Sequence, residues 1–208
     1  MCGIVAYCGA TSRERRGTFR QLCCEATIRG LHAFGIAYYY GGRVRVFKSL
    51  SFVEVMNAIP NPLPERIVFH NRYCTSGDFT VMNNNQPLVV DGNALAFNGV
   101  VDMGTKAEME RRHSTLLTTE NDGELVLQDI RRGDPFRSIA NRISSFAGVY
   151  LGKDGEMFAL RNEMRPLWSY DVKDGTFIVS TVDIARRAVP DLDMGNIRQI
   201  DAYEIMRL

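Results

Sequence analysis

The second residue of the chain is a cysteine, in Met1-Cys2-Gly3-Ile4-Val5. Its small side chain allows the initiator methionine to be trimmed, which would leave a thiol and a free α-amine on one residue. An α-amino group titrates at about 7.7–8.0, so an appreciable fraction is neutral near pH 7 and can take the thiol proton, directly or through a water. Nucleophile and base then share one residue, the logic of N-terminal nucleophile catalysis. A cysteine opening a strand also serves as a small buried hydrophobe, so Cys2 needs company. Four stretches concentrate glycine and polar residues that could supply it. They are Arg29-Gly30-Leu31-His32-Ala33-Phe34-Gly35; His70-Asn71-Arg72-Tyr73-Cys74-Thr75-Ser76-Gly77; Asn85-Gln86-Pro87 with Phe97-Asn98-Gly99; and Thr119-Glu120-Asn121-Asp122-Gly123-Glu124. Three of them have a bland reading. Asn98-Gly99 reads as a turn after a strand. Arg72 reads as a surface arginine, and Asn121 or Asp122 as the cap of a helix over 122–131. The few Cys and His positions show no zinc spacing, so no metal site and no cofactor is expected.

The elements that must position these residues follow from periodicity. A strand is expected over 3–8. Phe19, Leu22, Cys23 and Ala26 recur at helical spacing, which predicts a helix over 12–28 with Ser12 as its cap and Gly30 as its stop. Strands over 35–40 and 43–48 flank Gly41-Gly42 as a hairpin. A short helix over 52–58 and strands over 66–70 and 93–98 come next. Helices are expected over 102–112, 122–131 and 136–144, the last behind Asp134-Pro135. Strands over 146–151, 156–161, 166–171 and 176–180 return, with Asp154-Gly155 and Asp174-Gly175 as hairpin turns. A short helix over 183–188 and a closing strand pair, 197–200 with 203–207, end the chain. This order suggests a layered, antiparallel α+β fold.

Composition narrows the function classes. The 208 residues carry 25 Lys+Arg and 24 Asp+Glu, a net charge of +1, which gives no field of the nucleic-acid-binding kind. Arg15-Arg16, Arg111-Arg112 and Arg131-Arg132 read as solvated helix faces. No apolar run approaches the roughly 18 residues of a membrane helix, and no secretory signal is evident. The cysteines Cys2, Cys8, Cys23, Cys24 and Cys74 are odd in number and irregularly spaced, which points to a reducing cytosol rather than a disulfide framework. No linker-like stretch divides the chain, so one domain over 1–208 is expected.

Taken in order, the opening Cys2 and the four stretches resemble the glutaminase domains of class II glutamine amidotransferases. The likeness is greatest to those of amidophosphoribosyltransferase and glucosamine-6-phosphate synthase. Phe146-Ala147-Gly148-Val149-Tyr150, Arg161 through Arg165-Pro166-Leu167, and Phe177-Ile178-Val179-Ser180-Thr181 extend the resemblance across essentially the whole chain. It implies a four-layer αββα N-terminal nucleophile hydrolase sandwich with two mainly antiparallel sheets. It implies that Cys2 attacks the side-chain amide of glutamine, with Asn98 and Gly99 as the oxyanion hole. Arg72 would hold the substrate α-carboxylate and Asp122 its α-ammonium, with Thr75 as a hydroxyl contact. Tyr73 to Gly77 would form a mobile loop over the substrate, hinged at Gly77. Relatives fuse this domain to a synthase domain that consumes the ammonia; this chain departs from them by ending where the glutaminase domain ends, so a glutaminase domain without a fused synthase domain, working with a separate ammonia-accepting synthase or ligase, is expected. Cys74 stands where relatives usually carry a small residue, His32-Ala33 where an acidic residue and a serine are common, and Phe97 where a histidine is common. Three other readings compete. One is a γ-glutamyl amide or peptide hydrolase on the same fold, another a catalytically silent regulatory domain. The third is a Cys–His hydrolase built on Cys74 and His70.

Overall fold

A computed structural model of the chain describes residues 1–140 and 143–208. Two antiparallel sheets lie face to face. The first takes β1 (Gly3–Gly9), β2 (Ala33–Tyr40), β3 (Arg43–Ser49), β4 (Arg66–Arg72), β9 (Trp168–Val172), β10 (Gly175–Val179) and β11 (Ile197–Gln199), in the order β11-β9-β10-β1-β4-β2-β3. The second takes β5 (Leu88–Val90), β6 (Asn93–Val100), β7 (Ser145–Leu151), β8 (Met157–Arg161) and β12 (Ile205–Arg207), in the order β12-β8-β7-β6-β5. Helices α1 (Arg13–Ala26), α2 (Phe52–Ala58) and α5 (Val182–Ala188) pack on the outer face of the first sheet. Helices α3 (Lys106–His113) and α4 (Glu124–Arg131) pack on the outer face of the second.

The strand alternation produces these layers. Along β1, Val5 and Tyr7 turn outward to Phe19, Leu22 and Ala26 of α1. Ile4 and Ala6 turn inward to meet Ala94, Ala96, Ala147, Val149 and Ala159 of the second sheet. Alanines on the inner faces let the two sheets come close, because strand side chains of period two fix which residues fill the gap. On the far side Leu95 and Phe97 of β6 pack against Met109, Leu125 and Val126. The Ser12 hydroxyl accepts the Arg15 N–H and starts α1, whose apolar stripe is then buried. Truncating a fully buried residue of that stripe such as Leu22 to alanine costs roughly 2–5 kcal/mol. The antiparallel α+β class and the four layers are therefore as expected.

Several local expectations are corrected. The segment expected as a helix over 136–144 forms turns over 135–139, and its residues 141 and 142 lie outside the described residues. Ser138 explains the break: its N–H is captured by the Asp129 carboxylate at 2.9 Å, which competes with a helical ladder. The helix expected from 102 starts only at Lys106, where Thr105 and Glu108 form a capping box. Helix α4 is capped at Gly123 rather than by the side chain of Asn121 or Asp122. The two closing strands do not pair with each other. β11 joins β9 in the first sheet and β12 joins β8 in the second, and the chain crosses between them through a turn with Tyr203 at φ +61°. The short strand β5 was not expected.

Candidate active site

Cys2 sits at the entrance to β1, between the two sheets, and is 8% exposed. Its Sγ is bracketed by the Tyr73 backbone, with the N–H donating at 3.4 Å and the carbonyl at 3.6 Å. The Cys2 carbonyl accepts from Arg29 Nε at 2.7 Å. With Met1 in place, the Cys2 nitrogen is a peptide N–H, and it donates to Asn98 Oδ1 at 3.0 Å. Burial pushes the Cys2 thiol up, while the Tyr73 N–H and the nearby arginines oppose the rise. Such a thiol needs a local base to ionise at neutral pH.

Asn98 is buried, and its side chain is half used. Oδ1 holds the Cys2 nitrogen, while Nδ2 has no partner although it is shielded from solvent. A buried amide N–H left without an acceptor is costly, so it marks a place where an acceptor belongs. Asn98 and Gly99 do not form a turn: both lie within β6, opposite Ala147 and Phe146 of β7. The glycine is required there, because a Cβ would fall 1.9 Å from the Ser145 carbonyl oxygen. Behind this pair, His70 is fully buried with Nε2 3.0 Å from the Phe97 carbonyl. The ring must donate through Nε2, since a carbonyl only accepts, which fixes the neutral tautomer. Burial pulls its pKa down to about 3. The Phe97 N–H is in turn held by the Gln86 side chain at 2.5 Å.

Arg72 ends β4, one residue beyond the Gly3–Asn71 pair, and is 2% exposed. Its guanidinium meets only neutral acceptors: Asn85 Oδ1 at 2.6 Å through Nη1, and the Ser76 and Gly77 carbonyls through Nη2. Burial lowers its pKa. Lys48 lies beside it on the Asn85 carbonyl, its pKa brought down to about 8 by burial and by Arg72. Asp122 is 1% exposed. Its Oδ2 accepts the Val101 and Asp102 N–H groups at 2.6 and 3.2 Å, and its Oδ1 accepts from the Ser76 hydroxyl at 2.9 Å. Burial raises its pKa. Neither Arg72 nor Asp122 has an ion-pair partner among the described residues. Ser76 spans the two, with its carbonyl on the cation and its hydroxyl on the anion.

The loop that carries Ser76 is pinned at both ends by His32. The ring stacks on Tyr73 at 5.2 Å and on Phe79 at 5.0 Å, and its Nδ1 accepts the Cys74 N–H at 2.9 Å. Thr75 does not reach Arg72 or Asp122 by any hydrogen bond among the described residues. It lines a cavity of about 340 Å³ together with Gly104, Lys106 and Glu120. Cys74 turns its thiol to the Gly77 carbonyl at 3.0 Å and shares no hydrogen bond with His70. His70 lies within strand β4, so its four-residue separation from Cys74 does not bring the two side chains onto one helix face. Among the described residues no cluster of three His, Cys, Asp or Glu could hold a metal ion. Asn85, Ser76 and Arg29 complete the arrangement. All three stand inside the quoted stretches, Ser76 within the expected loop, but only the fold shows what they touch.

No family model and no curated protein matches the chain. Solved structures do. Glutamine phosphoribosylpyrophosphate (PRPP) amidotransferase from B. subtilis, complexed with ADP and GMP, superposes with a TM-score of 0.73 at 18% identity, over 99% of this chain and 47% of that one. A structure described as the allosteric regulatory enzyme of purine biosynthesis gives 0.74 at 18% identity, over 99% and 46%. The chain thus spans about half the length of both. A glutamine aminotransferase class-II domain protein from Silicibacter pomeroyi gives 0.55 at 12% identity, over 98% of this chain and 100% of that one. At these identities the likeness is one of fold, and the fold is that of glutamine amidotransferase structures. No helix among the described residues is long and apolar enough to cross a membrane.

Proposed function

We propose that this chain is a glutamine-hydrolysing amidotransferase subunit acting through Cys2, which passes ammonia to a separate synthase. The observation that carries the reading is the pair Arg72 and Asp122. A buried cation and a buried anion, each without an ion partner, stand beside a buried cysteine at the second position. Isolated buried charges are costly unless compensated. An α-amino acid zwitterion compensates both at once, its carboxylate on the Arg72 fork and its ammonium on Asp122. Glutamine held this way presents its side-chain amide toward Cys2.

The reaction runs in two halves. With Met1 removed, the Cys2 α-amine takes the thiol proton, and the thiolate forms a bond to the amide carbon. The oxyanion is received by Asn98 Nδ2 and the Gly99 N–H, neutral donors already in place. Collapse breaks the C–N bond, the ammonium of Cys2 gives its proton to the leaving nitrogen, and ammonia departs from a γ-glutamyl thioester. Water, deprotonated by the same amine, then releases glutamate and regenerates the thiol. Asn98 Oδ1 orients the Cys2 nitrogen throughout. Because Ser76 bridges Arg72 and Asp122, the substrate must displace it. A synthase that stabilises the displaced loop would raise the competent fraction and the apparent affinity together.

The test is ammonia and glutamate release by purified protein, alone and with candidate synthases. Slow hydrolysis stimulated by a partner is expected, with Cys2→Ala inactive and Cys74→Ser retaining most activity. A dead Cys74→Ser beside an active Cys2→Ala would overturn the assignment. Fast, partner-independent hydrolysis would favour a γ-glutamyl amide hydrolase.

A further inference from the structure

The grip on Arg72 and Asp122 recognises the glutamyl half of a substrate and is silent about what is attached to the amide nitrogen. On the other side of Cys2, two arginines converge. Arg29 is anchored through Nε to the Cys2 carbonyl at 2.7 Å, and its Nη2 points at Met1 Sδ at 3.6 Å. Arg165 is anchored through Nε to the Ser145 hydroxyl at 3.2 Å, and its Nη1 points at the same sulfur at 3.3 Å. Ser145 lies across the strand pair from Val100, next to the Asn98–Gly99 wall. Neither arginine has a carboxylate within 4.0 Å among the described residues. Both side chains are half-buried. Their terminal nitrogens therefore share one acceptor position, filled by a weak acceptor, the sulfur of the residue whose removal the proposed mechanism requires.

We infer that removal of Met1 opens a second anion subsite, formed by Arg29 and Arg165, for the carboxylate of an amino acid leaving group. The chain would then also hydrolyse γ-glutamyl dipeptides. The two contacts to one sulfur put the guanidinium nitrogens at most about 7 Å apart, a gap that one carboxylate spans with charge-assisted bonds of about 2.8 Å at each oxygen. Met1 is bonded to the Cys2 nitrogen, so the position it vacates is on the side of Cys2 from which the departing amine would receive its proton. The balance is unchanged: the γ-amide C–N bond breaks, Cys2 holds the glutamyl group, and water releases glutamate while the amino acid leaves with the proton from the Cys2 ammonium. No further reactant enters. This inference rests on the Cys2 reading above.

The experiment compares γ-glutamyl-glycine with γ-glutamyl-glycinamide, which differ only in the terminal carboxylate. In the wild-type chain kcat/KM should favour the carboxylate form by about tenfold, as two charge-assisted contacts would give. The preference should shrink as salt is raised. Arg165→Ala should abolish it, cutting γ-glutamyl-glycine about tenfold while leaving γ-glutamyl-glycinamide and glutamine within about twofold. Equal use of the two dipeptides by the wild type, or an equal loss on both in Arg165→Ala, overturns the subsite. Calorimetry on Cys2→Ala separates this from failure of the catalytic reading. Tighter binding of γ-glutamyl-glycine than of its amide, lost in Cys2→Ala/Arg165→Ala, sustains the subsite even if the wild type hydrolyses nothing. Indistinguishable affinities remove it.

Discussion

The two walls around Cys2 are built differently. The Asn98–Gly99 wall belongs to a strand in mid-sheet, with β7 on one side, His70 behind Phe97, and Gln86 on the Phe97 N–H. The Arg72–Asp122 wall is assembled from the end of β4, the loop before α4 and the Tyr73–Gly77 segment, and its two charges are bridged by Ser76. One wall is rigid and neutral and has a donor to spare. The other is charged, and its contacts are satisfied by the Tyr73–Gly77 loop. Transition-state charge is best met by groups that do not reorganise. Ground-state recognition tolerates an exchange of partners, provided that substrate contacts repay those given up. The proposed division of labour follows from where each group is anchored.

The largest expected effect tests the rigid wall. Asn98→Ala should lower kcat about 10²–10³-fold if, as proposed, its Nδ2 acts on a charge that exists only in the transition state. It should change glutamine KM far less. Arg72→Met should do the reverse, raising KM by one to two orders of magnitude, roughly the value of a charge-assisted bidentate contact. Removing a buried, unpaired cation should also raise Tm. Steady-state kinetics with the two phenotypes exchanged would break the comparison. Ser76→Ala frees Asp122 Oδ1 from the hydroxyl it accepts, so glutamine KM should fall about threefold. A rise in KM would place the hydroxyl among the substrate contacts instead.

A separate effect is on stability rather than on turnover. His70 has a folded pKa of about 3 against about 6.5 in the unfolded chain. A depressed histidine pKa means that the unfolded state takes the proton first, so its contribution to stability is complete above about pH 6.5 and declines as pH falls toward 3. Urea unfolding should therefore weaken by up to about 1.4 kcal/mol per pH unit more in the wild type than in His70→Gln over that window. Equal slopes would show that the imidazole behind the Asn98 wall is not held neutral.

What the sequence made legible was residue type at special positions and strand or helix period. Cys2 is informative because of its place in the chain, and Phe19, Leu22, Cys23 and Ala26 announce α1 through their spacing. Long-range matters were not legible. Asn98-Gly99 looks like a turn until the Ser145 carbonyl is seen 1.9 Å from a would-be Cβ, across a strand pair. Asp122 looks like a cap until its carboxylate is found on the Val101 and Asp102 N–H groups. Ser138 looks helical until Asp129 takes its N–H. The two closing strands are three residues each, too short for local pattern to say which sheet each one joins. Ser76, Asn85 and Arg29 gain meaning only from partners brought together by the fold.

In the proposed reaction a cysteine with a free α-amine carries the glutamyl group. This is tested most directly by acid-quenching the active protein during turnover with glutamine and analysing it by intact-mass and peptide mass spectrometry. The active chain is expected to begin at Cys2 and to carry a γ-glutamyl adduct on that residue, absent from Cys2→Ala. Active protein that retains Met1, or an adduct on Cys74 instead, would contradict the proposed reaction.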